Sequence, residues 1–184
     1  HAEEVGVDVY KVIEACNSQP YSHIHRPGIS VGGHCIPVYP RLYLSTDSRR
    51  AVVGAARQLN TGVARHAIDK LLNAYKSLRG LQVTILGVAY RSGVKESAFS
   101  GVFELRRILL EEGAEVRVLD PLYEDSELET LGLAVCENPA EQDVLILHTD
   151  HAAFLEFKKS DFPQVKAIFD GRGMLEPARW PDTD

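Results

Sequence analysis

The chain has 184 residues, of which 45% are hydrophobic and 25% charged, the composition of an ordinary globular protein with room for one medium domain or two small ones. Its net charge of −6 argues against a nucleic-acid-binding surface. Its three cysteines lack the spacing of a disulfide framework, and no apolar run approaches membrane-spanning length. We therefore expect a cytoplasmic protein with no membrane partner. Because no initiator Met is present, we also expect a fragment of a longer chain.

The amino-terminal part of the sequence carries helical periodicity. One helix is predicted over residues 7–16 with Asp8 as its cap, and a short one over residues 37–44. A third helix, predicted over residues 49–78, has an apolar stripe and exceeds the usual length of a globular helix. It should therefore connect two domains or lie in a subunit interface. Gly80 is expected to end this helix.

From Gln82 onward, short apolar runs alternate with helical stretches. Strands are predicted at residues 83–90, 115–119, 143–147 and 166–169, and helices at residues 102–112, 126–131 and 151–157. This alternation predicts βαβ units and a parallel sheet. The expected fold class is α/β, with a helical central segment and a long connecting helix in residues 1–78. A small Rossmann-like parallel-sheet domain should follow in residues 79–184.

Residues 27–44, PGISVGGHCIPVYPRLYL, combine three glycines with a cysteine and a helix start. The glycines let the backbone adopt positive φ or lie close against a ligand. Pro37 suits the first turn of a helix, which would place Cys35 at a helix N-terminus, where the dipole favours an anion such as a nucleophilic thiolate. A buried, inert thiol is the alternative for the cysteine alone. The glycines and the helix start together favour a functional site.

The turn after the first predicted strand reads GVAYRSGVKES and lacks the pattern G-x-G-x-x-G. We therefore do not expect this sheet to hold the pyrophosphate of NAD. Ligands of parallel sheets bind beyond the carboxyl ends of the strands, where Tyr90, Arg91, Lys95 and Arg172 stand. An aromatic ring with cations suits a base and a phosphate. Solvated loop charges are an equally good interpretation of this stretch alone.

Histidines and a cysteine cluster near the glycine-rich loop and raise the question of a metal site. His23, His25, His34 and Cys35 lie close in sequence, but their spacing matches no zinc motif. No metal site is expected here.

Five other residues have two interpretations each. His148 and His151 follow the third strand; one interpretation makes them polar residues at a site, and the one we favour is that they cap a helix or lie on the surface. Cys16 and Cys136 stand among apolar residues and are predicted to be core or incidental. Asn60 lies within the long helix, where asparagine is mildly unfavourable, so it is either exposed or holds something across the interface.

Several segments together resemble one known family. VDVYKVIEACN, PGISVGGHCIPVYP, RQLN, ILGVAYRSGVKES, GAEVRVLDP and FDGR follow one another over nearly the whole chain. They resemble motifs of the UDP-glucose/GDP-mannose dehydrogenase family of nucleotide-sugar 6-dehydrogenases. The G-G-H-C variant of the loop is similar to the branch that acts on UDP-N-acetylhexosamines.

The resemblance implies a function for each part. Residues 1–78 would belong to the central dimerisation domain with its active-site cysteine loop, and residues 79–184 would form the UDP-sugar-binding domain. NAD would oxidise the sugar C6 alcohol in two steps to a carboxylate. Cys35 would be the nucleophile that forms a thiohemiacetal and then a thioester.

The resemblance also implies roles for particular positions. The substrate would be held by Arg26, Pro27, Gly28, Ile29, Ser30, Val31, Gly32, Tyr90, Arg91 and Arg172. The nicotinamide of NAD would approach Cys35, Ile36, Pro37 and Val38. Tyr39 departs from the pattern, because the family usually has an aspartate there.

The family's NAD-binding domain would precede residue 1. The resemblance therefore implies that NAD is bound mainly by a domain absent from this chain, and that the chain alone is inactive. The implied partners are a UDP-sugar and a second copy of the chain, paired through the long helix. The alternative is a stand-alone nucleotide-sugar-binding or dimerisation module without catalysis.

Overall fold

The computed structural model describes residues 1–47 and 49–184. The chain begins with three helices, α1 (Val9–Asn17), α2 (Cys35–Thr46) and α3 (Ala51–Tyr75). Asp8 caps α1 as predicted, because its carboxylate accepts hydrogen bonds from the N–H groups of Tyr10 and Lys11 at 2.9 and 3.3 Å. Among the described residues, no helix is both long and apolar enough to cross a bilayer.

The second part of the chain forms a four-stranded parallel sheet. Its strands are β1 (Gln82–Leu86), β2 (Glu115–Leu119), β3 (Val144–Leu147) and β4 (Ala167–Asp170), and the helices between them are α4 (Val102–Glu111), α5 (Asp125–Thr130) and α6 (Ala152–Leu155). The strand order is β2-β1-β3-β4 with every pairing parallel, which confirms the predicted α/β fold. The order reverses between β1 and β3, and a crevice for ligands is expected beyond the carboxyl ends of these two strands.

Both faces of the sheet are covered. On one face, Val83 and Ile85 of β1 pack in a core shared with α3 and α4. On the other face, Leu86 packs in a second core with Phe154 and Trp180. The two central strands are therefore buried on both sides, which explains their continuous apolar runs.

Helix α3 has two different halves. Its carboxyl-terminal half buries Ala67 and Ile68 in the core of the sheet, so that this helix and the α/β part share one apolar interior. Its amino-terminal half exposes Val52 by 81% and Leu59 by 74%. The predicted apolar stripe therefore stabilises the fold over only part of its length.

Two predicted boundaries were wrong. The first strand ends at Leu86 rather than at residue 90, because Gly87 adopts φ +97° and turns the chain. Helix α3 ends three residues earlier than predicted, where Lys76 adopts φ +62°. Gly80 is not its cap but lies in the turn before β1, where its N–H donates to the carbonyl of Gly113 at 2.9 Å. The other element boundaries agree with the prediction within two residues.

Candidate active site

The glycine-rich loop lies across the carboxyl edge of the sheet. The Gly33 N–H donates to the carbonyl of Ala98 at 2.9 Å, in the connection between β1 and α4. The guanidinium of Arg172, just after β4, donates to the carbonyl of Pro27 at 3.4 Å. The fold thus brings residues 27–33 to the edge where parallel sheets bind their ligands.

Two glycines of this loop have different structural reasons, one a left-handed backbone and the other close packing. Gly33 adopts φ +85°, a conformation that favours glycine. A Cβ atom on Gly32 would lie 2.7 Å from Cβ of Tyr90 and 2.8 Å from the carbonyl oxygen of Phe99. Because glycine has no Cβ atom, the loop can approach the β1–α4 connection at this position.

Asn60 of α3 holds the same loop from the other side. Its Oδ1 accepts a hydrogen bond from the Val31 N–H at 2.8 Å, and its Nδ2 donates to the Val31 carbonyl at 3.4 Å. Asn60 therefore holds a segment of its own chain, whereas the prediction was an exposed position or a contact across an interface. The loop is fixed between α3 and the β1–α4 connection.

Cys35 is the first residue of α2, two residues earlier than the predicted helix start. Its side chain is exposed, and the preceding His34 makes no side-chain cap of the helix. The exposed thiol therefore lies at the positive end of a twelve-residue helix, where an anion is favoured. Beside it, Ile36 is exposed by 56% and Pro37 is buried.

The other predicted substrate residues fall into two groups. Tyr90 follows β1 and stacks beside the Arg91 guanidinium, whose central carbon lies 6.0 Å from the ring centroid. Arg172 is half-buried and forms an ion pair with Asp150, from Nε to Oδ1, at 3.1 Å. These three residues border the glycine-rich loop or its edge of the sheet.

Arg26 belongs to a separate set of contacts. It pairs with Glu14 of α1 at 2.9 Å, lies over the ring of Tyr10, and donates to the Gly173 carbonyl at 3.3 Å. Its guanidinium therefore ties α1 to the turn after β4. To bind the substrate, the Arg26 guanidinium would have to contact it in addition to these groups or release one of them.

Asp120, at the end of β2, is a residue whose role sequence reasoning missed. Its buried Oδ2 accepts hydrogen bonds from the N–H groups of Val88 and Ala89 at 2.7 and 3.3 Å, and its Oδ1 accepts from Leu122 at 2.9 Å. Burial would raise the pKa of Asp120, but the nearby His151 ring and the N–H groups of Val88 and Leu122 outweigh burial and lower it. An aspartate directly after a strand was the available signal.

The Asp120 carboxylate has a consequence for dinucleotide binding. It occupies the backbone N–H groups of the first βα turn, which in a G-x-G-x-x-G loop would face a pyrophosphate. The residues of this turn therefore do not fit the pyrophosphate of NAD, in keeping with the missing glycine pattern.

The prediction that His148 and His151 cap a helix or lie on the surface was wrong about their exposure. Their exposed fractions are 6% and 3%. His148 Nδ1 lies 3.1 Å from the Gly87 carbonyl, and burial lowers the pKa of His148 to about 4, so the ring is neutral near pH 7. His151 precedes α6 without capping it, and its Nε2 lies 3.4 Å from Asp120 Oδ2. His148 therefore lies against the turn after β1, and His151 lies beside the Asp120 carboxylate.

Histidines and a cysteine near the glycine-rich loop raised the question of a metal site. Within residues 1–47 and 49–184, no three His, Cys, Asp or Glu side chains gather as metal ligands. Cys16 is exposed, so the prediction that it lies in apolar surroundings was wrong. Cys136 is buried, and burial raises the pKa of its thiol.

A glycine-rich loop lies at the edge of the parallel sheet and leads into an exposed cysteine at a helix start. Models of one protein family match both parts of the chain. The UDP-binding-domain model of the UDP-glucose/GDP-mannose dehydrogenase family matches residues 84–177, and the central-domain model matches residues 1–62. The chain belongs to this family, and the predicted resemblance is confirmed.

Individual relatives give the same result. The UDP-N-acetyl-D-mannosamine dehydrogenase of Methanococcus maripaludis is 30% identical over 189 residues, which cover 97% of this chain and 43% of the relative. The solved structure of UDP-D-ManNAc dehydrogenase from Pyrococcus horikoshii has a TM-score of 0.76 at 29% identity, over 95% of this chain and 43% of the other. A UDP-glucose dehydrogenase from Pyrobaculum islandicum has a TM-score of 0.81 at 25% identity, over 98% and 44%. The chain spans less than half the length of these relatives.

Proposed function

We propose that this chain supplies the nucleotide-sugar-binding part and the nucleophile of an NAD-dependent UDP-sugar 6-dehydrogenase. One observation carries the proposal. The glycine-rich loop contacts the carboxyl edge of the sheet through Gly33 and Pro27, and leads directly into the exposed Cys35 at the start of α2. This geometry supports the proposal that a nucleophile lies next to a surface suited to a nucleotide.

The proposed substrate surface consists of backbone and cations. The loop offers its peptide groups, Tyr90 offers a ring for the base, and Arg91 and Arg172 offer positive charge for the diphosphate. The full proposed set is Arg26, Pro27, Gly28, Ile29, Ser30, Val31, Gly32, Tyr90, Arg91 and Arg172. A UDP-N-acetylhexosamine is the substrate class we favour, because the relatives named for UDP-N-acetyl-D-mannosamine cover 97% of the chain.

Cys35 is the proposed nucleophile of this chain. Its sulfur would add to the carbonyl carbon of the sugar C6 aldehyde, and the product of further oxidation would be a thioester that water hydrolyses to the carboxylate. The exposed start of α2 favours the negative charge that the sulfur needs to attack. Tyr39, on the next turn of the helix, stands where the family usually has an aspartate.

NAD⁺ would accept the two hydrides that leave C6. In this chain, only the start of α2, from Cys35 to Val38, is proposed to approach its nicotinamide. The first βα turn does not suit a pyrophosphate, because its Val88 and Ala89 N–H groups already donate to the Asp120 carboxylate. Binding of the rest of NAD is therefore assigned to the part of the relatives that this chain does not span.

A homodimer through the long helix is part of the proposal. The amino-terminal half of α3 exposes Val52 and Leu59, and α2 beside it exposes Leu42 by 60% and Tyr39 by 64%. Apolar side chains at this density favour a protein–protein interface. The proposed domain boundary near residue 78 and the cytoplasmic location stay predictions.

The second candidate is a stand-alone nucleotide-sugar-binding or dimerisation module. It is favoured by Tyr39, which stands where catalysis in the family uses an aspartate. Binding without turnover would be its signature.

Two measurements test the proposal. UDP should bind the 184-residue chain in calorimetry, and no NAD reduction should occur with this chain alone and any UDP-sugar. The same protein joined to an NAD-binding domain should oxidise a UDP-N-acetylhexosamine, and Cys35→Ser should abolish that oxidation while keeping UDP affinity. Absence of UDP binding would contradict the proposal, and binding without turnover in the joined protein would establish the second candidate.

A further inference from the structure

A cavity lies on the side of the glycine-rich loop that faces α3. It is enclosed by α2, α3 and the start of α4 and has a volume of about 440 Å³. A neighbouring hollow of about 430 Å³ shares Arg41, Arg57 and Thr61 with it. We call the two together the α2–α3 cavity. Tyr90, Arg91 and Arg172 of the proposed substrate surface do not line it.

Two arginines of the α2–α3 cavity lack a carboxylate partner. Within residues 1–47 and 49–184, neither Arg41 nor Arg57 forms an ion pair. The Nη1 atom of Arg57 is hidden from solvent and has no hydrogen-bond acceptor in the same part of the chain. A buried, unpaired guanidinium N–H is costly, so an acceptor is expected there.

The charge balance of the cavity remains positive. Arg107 also lines it but is neutralised by Glu104 and Glu111, to which its guanidinium donates at 2.6 and 2.5 Å. Glu104 is the only carboxylate among the described lining residues of the larger hollow, and it is taken up by this pairing. Arg41 and Arg57 are therefore left to attract an anion.

The cavity also offers aromatic surface. Phe99 and Phe103 line it with exposed fractions of 50% and 37%, and the Arg41 guanidinium lies 5.8 Å from the Phe99 ring centroid. A bare phosphate would leave most of the volume unfilled. The combination suits a phosphate group attached to a larger, partly apolar or planar body.

The geometry points to a second ligand site in the α2–α3 cavity, which binds a phosphate-bearing small molecule through Arg41 and Arg57. The phosphate oxygens fill the vacant acceptor position at Arg57 Nη1, and the body of the molecule packs on Phe99 and Phe103. This site adjoins the proposed substrate surface, with which it shares Ser30 and Val31, but its two arginines lie outside that surface.

Calorimetric titration of the 184-residue chain with inorganic phosphate and with AMP tests the site. Saturable binding is expected, and Arg41→Gln and Arg57→Gln should each weaken it at least tenfold. Arg79→Gln is the matched control, because Arg79 is exposed in the connection between α3 and β1 and its replacement removes the same charge. AMP should bind more tightly than phosphate because of the aromatic lining, and equal binding would contradict the packing of the ligand body on Phe99 and Phe103.

Two controls separate an effect on ligand binding from an effect on stability and from binding at the proposed substrate surface. Arg41 is exposed, so its replacement should leave the thermal unfolding midpoint unchanged even if Arg57→Gln lowers it. Arg91→Glu should leave phosphate and AMP binding intact while it weakens UDP binding, which separates this site from the proposed substrate surface. Absence of saturable binding, or equal affinity in the Arg41, Arg57 and Arg79 variants, would overturn the proposal.

Discussion

The side-chain amide of Asn60 bonds both polar groups of Val31, accepting from its N–H at 2.8 Å and donating to its carbonyl at 3.4 Å. The two residues lie 29 positions apart in the sequence. This pairing mimics a short piece of sheet and fixes the middle of the glycine-rich loop to the long helix. The position of the loop therefore depends on α3 as well as on the sheet.

Removal of the Asn60 amide should loosen the loop. Asn60→Ala is expected to cost about 1 kcal/mol of unfolding free energy, because two hydrogen bonds are lost, and to weaken UDP binding severalfold. Asn73→Ala, on the exposed surface of the same helix, is the matched control for helix propensity. Urea unfolding and calorimetry with UDP measure both effects. Equal behaviour of the two variants would show that the amide does not position the loop.

Two glycines should respond in opposite directions to alanine. A Cβ on Gly32 would meet Tyr90 and Phe99 at under 3 Å, so Gly32→Ala is expected to destabilise the chain by about 1–3 kcal/mol and displace the loop. Gly62, within α3, has no atom within 4 Å of its Cβ position in the described chain. Gly62→Ala should therefore stabilise the helix by about 0.5–1 kcal/mol. Thermal unfolding of both variants checks the pair, and a stabilising Gly32→Ala would contradict the packing.

The buried His148 should make stability depend on pH. Its pKa is lowered from 6.5 to about 4 in the folded chain, chiefly by burial, so the unfolded chain binds more protons between these values. Stability from this residue is complete above about pH 6.5 and is lost as the pH falls towards 4, by about 2 kcal/mol between pH 7 and pH 5. His148→Gln should flatten this part of the profile, whereas His23→Gln, at an exposed position, should leave it unchanged. Urea midpoints at the two pH values decide between these outcomes.

Charge reversal at Arg91 tests the substrate surface. Arg91 is exposed and makes no ion pair with the described residues, so Arg91→Glu should leave the unfolding midpoint nearly unchanged. UDP binding should weaken at least tenfold, since an attraction for the diphosphate becomes a repulsion. Arg79→Glu, with the same change in net charge, separates the local effect from the overall charge. Unchanged UDP affinity in the Arg91 variant would remove this residue from the site.

Most of the fold could be predicted from the sequence because its signals are local. The switch from helical periodicity to alternating strands and helices follows from the repeat of the apolar residues, and the parallel sheet follows from that alternation. Strand and helix ends were less certain, since they depend on single residues such as Gly87 and Lys76, whose left-handed backbone leaves only a weak trace in the sequence.

The sequence by itself determined the α/β architecture, the glycine-rich loop and, to within two residues, the helix start at Cys35, because each depends on neighbours along the chain. Only the tertiary structure decided which polar groups are buried. Asp120 binds the first βα turn and His148 lies under the loop because strands distant in sequence end side by side. Desolvation, which sets the protonation of His148, depends on this three-dimensional environment and has no local sequence pattern.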